Sequence, residues 1–320
     1  MKISKKETSL GEEIEGSVSD SIIATIKKRK GIAMMAVSDI AYTVADYRAD
    51  TVGGINVASE IFSLVVLPFL LNSGETWIGM NRHAEDILNE IFKDFMRRIL
   101  QVPKSCPIPM MFLDLGLMLP KNLLILKKLS FLFHLSQLKD KTLGKRIYNI
   151  QKNDRSLPSL VTECEPWLRD FNLSLEMMEK YTKEEWKKEI KAKVEEKNHK
   201  EILTMSKDYS KIDTKEVAKE NPGLKDYMKS LTYKDAILLF RLRAKICETV
   251  KTQWKGTKEF EEDLYSCWHH PFQRIDQSSH IERCIHYSSL KEGLSLDRDD
   301  HLVLFYRRVI EKRKEEQRKR

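Results

Sequence analysis

Residues 82–100, Arg82-His83-Ala84-Glu85-Asp86-Ile87-Leu88-Asn89-Glu90-Ile91-Phe92-Lys93-Asp94-Phe95-Met96-Arg97-Arg98-Ile99-Leu100, are the stretch whose reading decides the fold. Ile87, Leu88, Ile91, Phe92, Phe95, Ile99 and Leu100 recur at i, i+3, i+4 and i+7, which gathers them on one side of an α-helix. Arg97 and Arg98 fall in the last turn, where cations suit the carbonyl end of the helix dipole. Pro103 ends the helix, and residues 103–109, with prolines at both ends, form a rigid connection.

The helical pattern continues on both sides. Upstream, residues 20–49 read as a helix capped by Ser19 or Asp20, with Ile22, Ile23, Ile26, Ile32 and Met35 as its stripe and Gly31 as a weak point. Residues 55–71 read as a buried core helix whose helical part ends at Pro68, followed by a turn from Leu70 to Trp77. Asn56, Ser59 and Glu60 make that run too polar, and its length too short, to span a bilayer. Downstream, helices are expected at 109–119, at 121–136, and as a pair within 143–176 around the loop Asn153–Pro158. Within 177–206 the run Glu184 to Lys193 is almost all charged, with Trp186, Ile190 and Val194 as a thin stripe, and the segment reads as a long exposed linker helix held by Glu/Lys pairs. A loop-rich junction at 207–230 contains Asn221-Pro222-Gly223. Further helices follow at 232–249, capped by Thr232, and at 299–315, opening at Asp299. The expected architecture is mainly α, divided as 1–140, 141–230 and 231–320.

The totals agree. With 41 % hydrophobic and 32 % charged residues, and 12 Gly with 9 Pro, the chain is helix-rich in composition and poor in the turns an all-β fold needs. A net charge of +8 points toward polyanions, although 56 basic residues are largely balanced by 48 acidic ones. Five cysteines at uneven spacing, with no signal-like start after Met1, argue for a reducing compartment, nucleus or cytoplasm, rather than a disulfide framework.

Two of those cysteines fall in a cluster near the C-terminus, Cys267-Trp268-His269-His270 and His280-Ile281-Glu282-Arg283-Cys284. Cys267, His270, His280 and Cys284 form two close pairs of nitrogen and sulfur donors, the grouping a tetrahedral zinc ion needs. One zinc ion in a small knuckle-like module is one reading; a His/Cys-rich loop without metal is the other. No Gly-rich phosphate loop, Cys-x-x-Cys or His-Glu-x-x-His occurs, and Asp299-Asp300 reads as a helix start rather than a pair of metal-binding catalytic aspartates.

Several stretches, in the same order, resemble the C-terminal portion of non-LTR (LINE-type) retrotransposon reverse transcriptases. They are Leu67 to Trp77, the run Phe95-Met96-Arg97-Arg98-Ile99-Leu100-Gln101-Val102-Pro103-Lys104-Ser105-Cys106-Pro107, Leu113 to Pro120, Leu239 to Lys245, His280 to Cys284, and Leu302 to Arg313. The resemblance implies a helical thumb-like bundle over 1–140, a helical linker, and a zinc-knuckle region over 231–320. It places the start of the chain after the family's palm, so the Tyr-x-Asp-Asp strand and the endonuclease domain fall outside it. No polymerase activity is then expected of this chain alone, although by descent it would be an RNA-directed DNA polymerase, working only with a palm-bearing reverse transcriptase in trans. The first pair departs from the family's Cys-x2-Cys. Family thumbs and knuckles contact RNA or DNA, which implies phosphate-binding roles for Lys27, Lys28, Arg29, Arg97, Arg98, Lys104, Arg241, Arg243 and Lys245, with Trp268 stacking in the knuckle. A helical scaffold that binds protein partners is the alternative. If zinc is held, Cys284→Ser releases it, and metal content by atomic emission checks this; a variant with undiminished zinc removes the ligand assignment.

Overall fold

Ser17 sets the first long helix by accepting a hydrogen bond from the Asp20 amide, so α1 runs Val18–Tyr42. A computed structural model of the chain describes residues 7–9, 12–14, 17–44, 50–209, 223–244, 246, 282 and 284–318. Ahead of α1, β1 (Glu7–Ser9) pairs antiparallel with β2 (Glu12–Ile14). After it come α2 (Gly54–Ile61), a π-helical turn (Phe62–Val66), α3 (Leu67–Leu70), α4 (Arg82–Leu100), α5 (Ile108–Asp114), α6 (Pro120–Ser136), α7 (Leu143–Asn153), α8 (Leu160–Asp170), α9 (Leu175–Met178) and α10 (Lys183–Ser206). Beyond residue 222 are α11 (Asp226–Ser230), α12 (Tyr233–Arg243) and α13 (Asp299–Arg318). The fold is mainly α, as the periodicity requires.

Pro68 does not end the second helix. Lacking an N–H, it cannot donate to the carbonyl four residues back, and the chain accommodates it with one wider turn in which the Leu67 amide reaches the Phe62 carbonyl. α2, the π turn and α3 therefore run together to Leu70. This helix was expected to be buried, yet only one side is: Phe62 stacks on Phe95 at 3.8 Å and meets Phe92 edge-on at 5.3 Å, while Leu64 is 75 % exposed.

Three apolar clusters hold the described residues together. The first gathers α1, α2, α4 and α5 with residues from the C-terminal half, among them Tyr227, Met228, Tyr233, Ala236, Leu239 and Phe240. The second lies between α6, α8 and α10, and the third joins Leu242, Cys284, Tyr287, Phe305, Tyr306 and Val309. α6 serves two of them, Leu124 entering the first and Leu129 and Leu132 the second.

α10 departs from the exposed linker read from its charges. Trp186, Ile190, Val194, Asn198, Ile202 and Ser206 are all buried. A strict four-residue spacing advances about 40° per step beyond a full turn, since an α-helix has 3.6 residues per turn. The buried stripe thus winds around α10 as the helix leaves the second core, where Trp186 Nε1 donates to the Leu129 carbonyl, and enters the first at Ile202. Its polar members are also satisfied: Asn198 Oδ1 accepts from the Leu119 amide and from Asn122 Nδ2, and Ser206 Oγ donates to the Leu203 carbonyl.

The stretch Leu113-Asp114-Leu115-Gly116 is pinned to the C-terminal half. Asp114 is fully buried; Tyr227 Oη donates to its Oδ2 at 2.6 Å and Arg243 Nε does so at 3.0 Å. Its main-chain carbonyl accepts from the Lys225 amide. Gly116, at φ +63°, lets the next strand of chain approach: a Cβ there would stand 2.2 Å from the Leu224 nitrogen. Removing one partner of a buried charge pair leaves the other uncompensated. Asp114→Ala should therefore cost about 3 kcal/mol or more, read as a lowered urea midpoint. Gly116→Ala should destabilise well beyond Gly79→Ala, whose site also has positive φ but lies in open space.

Candidate functional site

The basic residues singled out in the sequence divide into those that serve the fold and those that converge on one place. Arg29 belongs to the first group. It is 4 % exposed, Nη1 donates to the Asn72 carbonyl at 2.6 Å, and the guanidinium lies 5.7 Å from the Trp77 ring centre. This is a correction to its reading as a phosphate ligand: burial against the turn after α3 takes it off the surface. Arg243 is committed likewise, to Asp114, with its guanidinium 5.7 Å from the Tyr227 ring. Lys27 and Lys28 lie exposed on α1. Lys245, Trp268, Cys267, His270 and His280 lie outside the described residues.

The second group is Arg97, Arg98, Lys104 and Arg241. Gln101, in the left-handed conformation at φ +49°, ends α4 and turns the chain sharply into the connection that Pro103 stiffens. Helix ends leave carbonyls without intrahelical donors. Two arginines answer them: Arg241 Nη2, from α12, donates to the Gln101 carbonyl at 2.5 Å, and Arg97 Nη2 donates to the Lys104 carbonyl at 3.4 Å. Lys104 itself points from an exposed position in the turn. Arg98, next along the helix, bonds Asp94 at 2.6 Å and Ser38 of α1 at 3.2 Å. Residues 140 apart in sequence are thus brought to one end of α4. Arg97 Nε is buried with no hydrogen-bond partner. Beneath them, burial pushes the Cys106 thiol up to about 12, against the opposing pull of Arg97 and Arg241.

Two other polar features have a different character. Lys128 is 2 % exposed, yet its ammonium donates to the Trp77 carbonyl and to Glu163, both at 2.6 Å, and faces the Trp167 ring, so this buried cation ties α6 to α8. In the sequence Lys128 lies among Leu124, Ile125, Leu129 and Leu132, and those apolar neighbours are the available signal of its burial. A groove of about 740 Å³ between α4 and α10 carries Lys121, Lys197 and Lys200, but Glu201 and Glu196 pair with them, and its floor residues Phe112 and Phe171 are buried. Alternating signs and covered rings suit neither a phosphate chain nor stacked bases.

Cys284 is the described member of the zinc reading. It is 2 % exposed beside Tyr287, Phe305 and Tyr306 at the start of a 3-10 turn, Ile285–Lys291. Among the described residues no three His, Cys, Asp or Glu side chains come together as a metal site. Likewise no described helix is long and apolar enough to cross a membrane.

No family model, no curated protein and no solved structure matches the chain. The division of the basic residues has a direct consequence for stability. Hydrogen bonds from charged donors are worth roughly 1.5–3 kcal/mol, so Arg29→Gln should lower the unfolding free energy by about 2 kcal/mol. Lys27→Gln should change it by less than about 0.5 kcal/mol in the same urea titration.

Proposed function

We propose that this chain binds nucleic acid through phosphate contacts at the end of α4, and that it derives from the thumb, linker and knuckle portion of a non-LTR retrotransposon reverse transcriptase. The observation that carries the reading is the convergence of Arg97, Lys104 and Arg241 on the turn after α4, with Arg98 beside them on the last turn of the helix, held by Asp94 and Ser38. A guanidinium has five N–H donors in a planar fork, so Arg97 keeps donors for a ligand after meeting the Lys104 carbonyl. Lys104, exposed in the same turn, supplies a further charge.

On this reading the described residues grip the backbone of the nucleic acid and read no bases. Zinc at Cys267, His270, His280 and Cys284 belongs to the same proposal and rests on their spacing in the sequence. When bound, it would hold the C-terminal module together rather than take part in chemistry. Polymerase activity is assigned only to a palm-bearing partner in trans. The scaffold alternative draws its support from the exposed apolar side chains of α1 and of the helix at 54–70.

Fluorescence anisotropy with a short RNA–DNA hybrid across a salt series tests the proposal. The logarithm of the affinity should fall linearly with the logarithm of salt. Each phosphate contact contributes roughly 0.7–0.9 to that slope, so replacing Arg97 and Arg98 together by Gln should reduce it by about 1.5 if each holds one phosphate. An unaltered slope in the double variant would refute the site, and the absence of salt-dependent binding by the parent chain would refute the function.

A further inference from the structure

The groove between α4 and α10 has two unlike walls. On α10 and the turns beside it the charges are already matched: Lys200 pairs with Glu196, Lys121 with Glu201, and Lys197 with Glu201 and Asp170. The α4 wall is a row of residues one turn apart, Glu85, Asn89 and Lys93, all half-buried. Among the described residues, none of these three side chains has a hydrogen bond or an ion pair. Asn172, exposed in the turn after α8, lines the same groove with its amide equally unmet. The floor is apolar, and Ile108 and Met205 remain half-exposed along it.

Unmatched polar groups above an apolar floor specify what fits there. Glu85 and Lys93 are eight positions apart, about 12 Å along the helix at 1.5 Å per residue. An extended chain rises about 3.3 Å per residue, so side chains four positions apart on it lie on one side and about 13 Å from each other. A primary amide both donates and accepts, and an extended main chain presents an N–H and a C=O to match it. A docked helix spends those groups internally and leaves the two asparagines unmet. The groove's volume of about 740 Å³ holds a short segment rather than a domain.

We propose that this groove binds an extended segment of a partner protein, about five residues long, with a basic side chain at one end, an acidic one at the other and apolar residues between. The cation meets Glu85 and the anion meets Lys93. Asn89 and Asn172 bond the main chain, and the apolar residues cover Ile108 and Met205. A nucleic-acid backbone does not suit this wall, since a phosphate chain that satisfies Lys93 also sets an anion against Glu85. The arginines at the end of α4 do not line the groove, so the inference is independent of phosphate binding there.

Fluorescence polarisation of the nuclease-treated full chain with labelled peptide pools tests it. The pools are Lys-X-X-X-Glu, Glu-X-X-X-Lys, Lys-X-X-X-Lys and Glu-X-X-X-Glu, with blocked termini and X drawn from Leu, Ile, Val, Phe and Ser. The two unlike-ended pools cover both chain directions, and the better of them should bind at least about tenfold more tightly than either like-ended pool. Lys93→Glu leaves two anions on the α4 wall, so preference should pass to Lys-X-X-X-Lys. Adding Glu85→Lys should return it to an unlike-ended pool. Neither side chain is bonded within the fold, so the circular dichroism of both variants should match the parent. Asn89→Leu should weaken all pools by a similar factor without reordering them. The inference is overturned if no pool binds the parent chain, if a like-ended pool binds it as tightly as the unlike-ended ones, or if Lys93→Glu keeps the parental preference. Unchanged affinity in Asn89→Leu overturns the main-chain contact.

Discussion

The carboxylate of Asp114 is the constraint on which the rest of the fold depends. A fully buried charge is tolerated only if it is paired and hydrogen-bonded, and Asp114 finds its partners, Tyr227 and Arg243, in the C-terminal half. Satisfying it fixes α11 and α12 against the turn after α5. Tyr233 Oη, on α12, can then donate to the Ile99 carbonyl, and Arg241 can reach Gln101. The basic cluster at the end of α4 is thus a by-product of the same requirement: the residues that neutralise Asp114 carry Arg241 with them. Burial raises Tyr227 well above the usual phenol range, helped by the Asp114 charge, so the hydroxyl remains a donor at any pH the protein meets.

Much of the helical architecture was legible, because it rests on local periodicity. α4, with Ile87 through Leu100 on one side, falls at the bounds its pattern predicts. α7 and α8 also separate around the expected loop, with Ser159 and Thr162 completing a capping box. What was hidden is what depends on partners distant in sequence. The stripe on α10 winds around its helix, so no one side of it looks apolar. Pro68 signals a stop, and only the neighbouring helices that bury Phe62, Val66 and Leu70 make the wider turn worthwhile.

The same division runs through the charged residues. Lys27, Lys28, Arg29 and Lys30 are consecutive cations in the sequence, and nothing local distinguishes them. Helical geometry does: Lys30 pairs with Glu90 on α4, Arg29 turns inward to the Asn72 carbonyl, and Lys27 and Lys28 face outward. Arg97 and Arg98 were legible as a pair at a helix end, whereas Arg241 joins them only through a contact spanning 140 residues. Motif reading named the basic residues, and the fold determines which of them stand together.

The tie at Asp114 also bears on how the chain acquires its structure as it is made. Asp114 and Tyr227 are 113 positions apart, and Arg243 follows later still. At a synthesis rate of 5–20 residues per second, the carboxylate waits on the order of ten seconds for its partners. The second core draws on residues 125–194 and can close in that interval, while the first awaits Tyr233, Ala236 and Phe240. The part of the molecule written first is therefore finished last, with its apolar surfaces open to chaperones in the meantime.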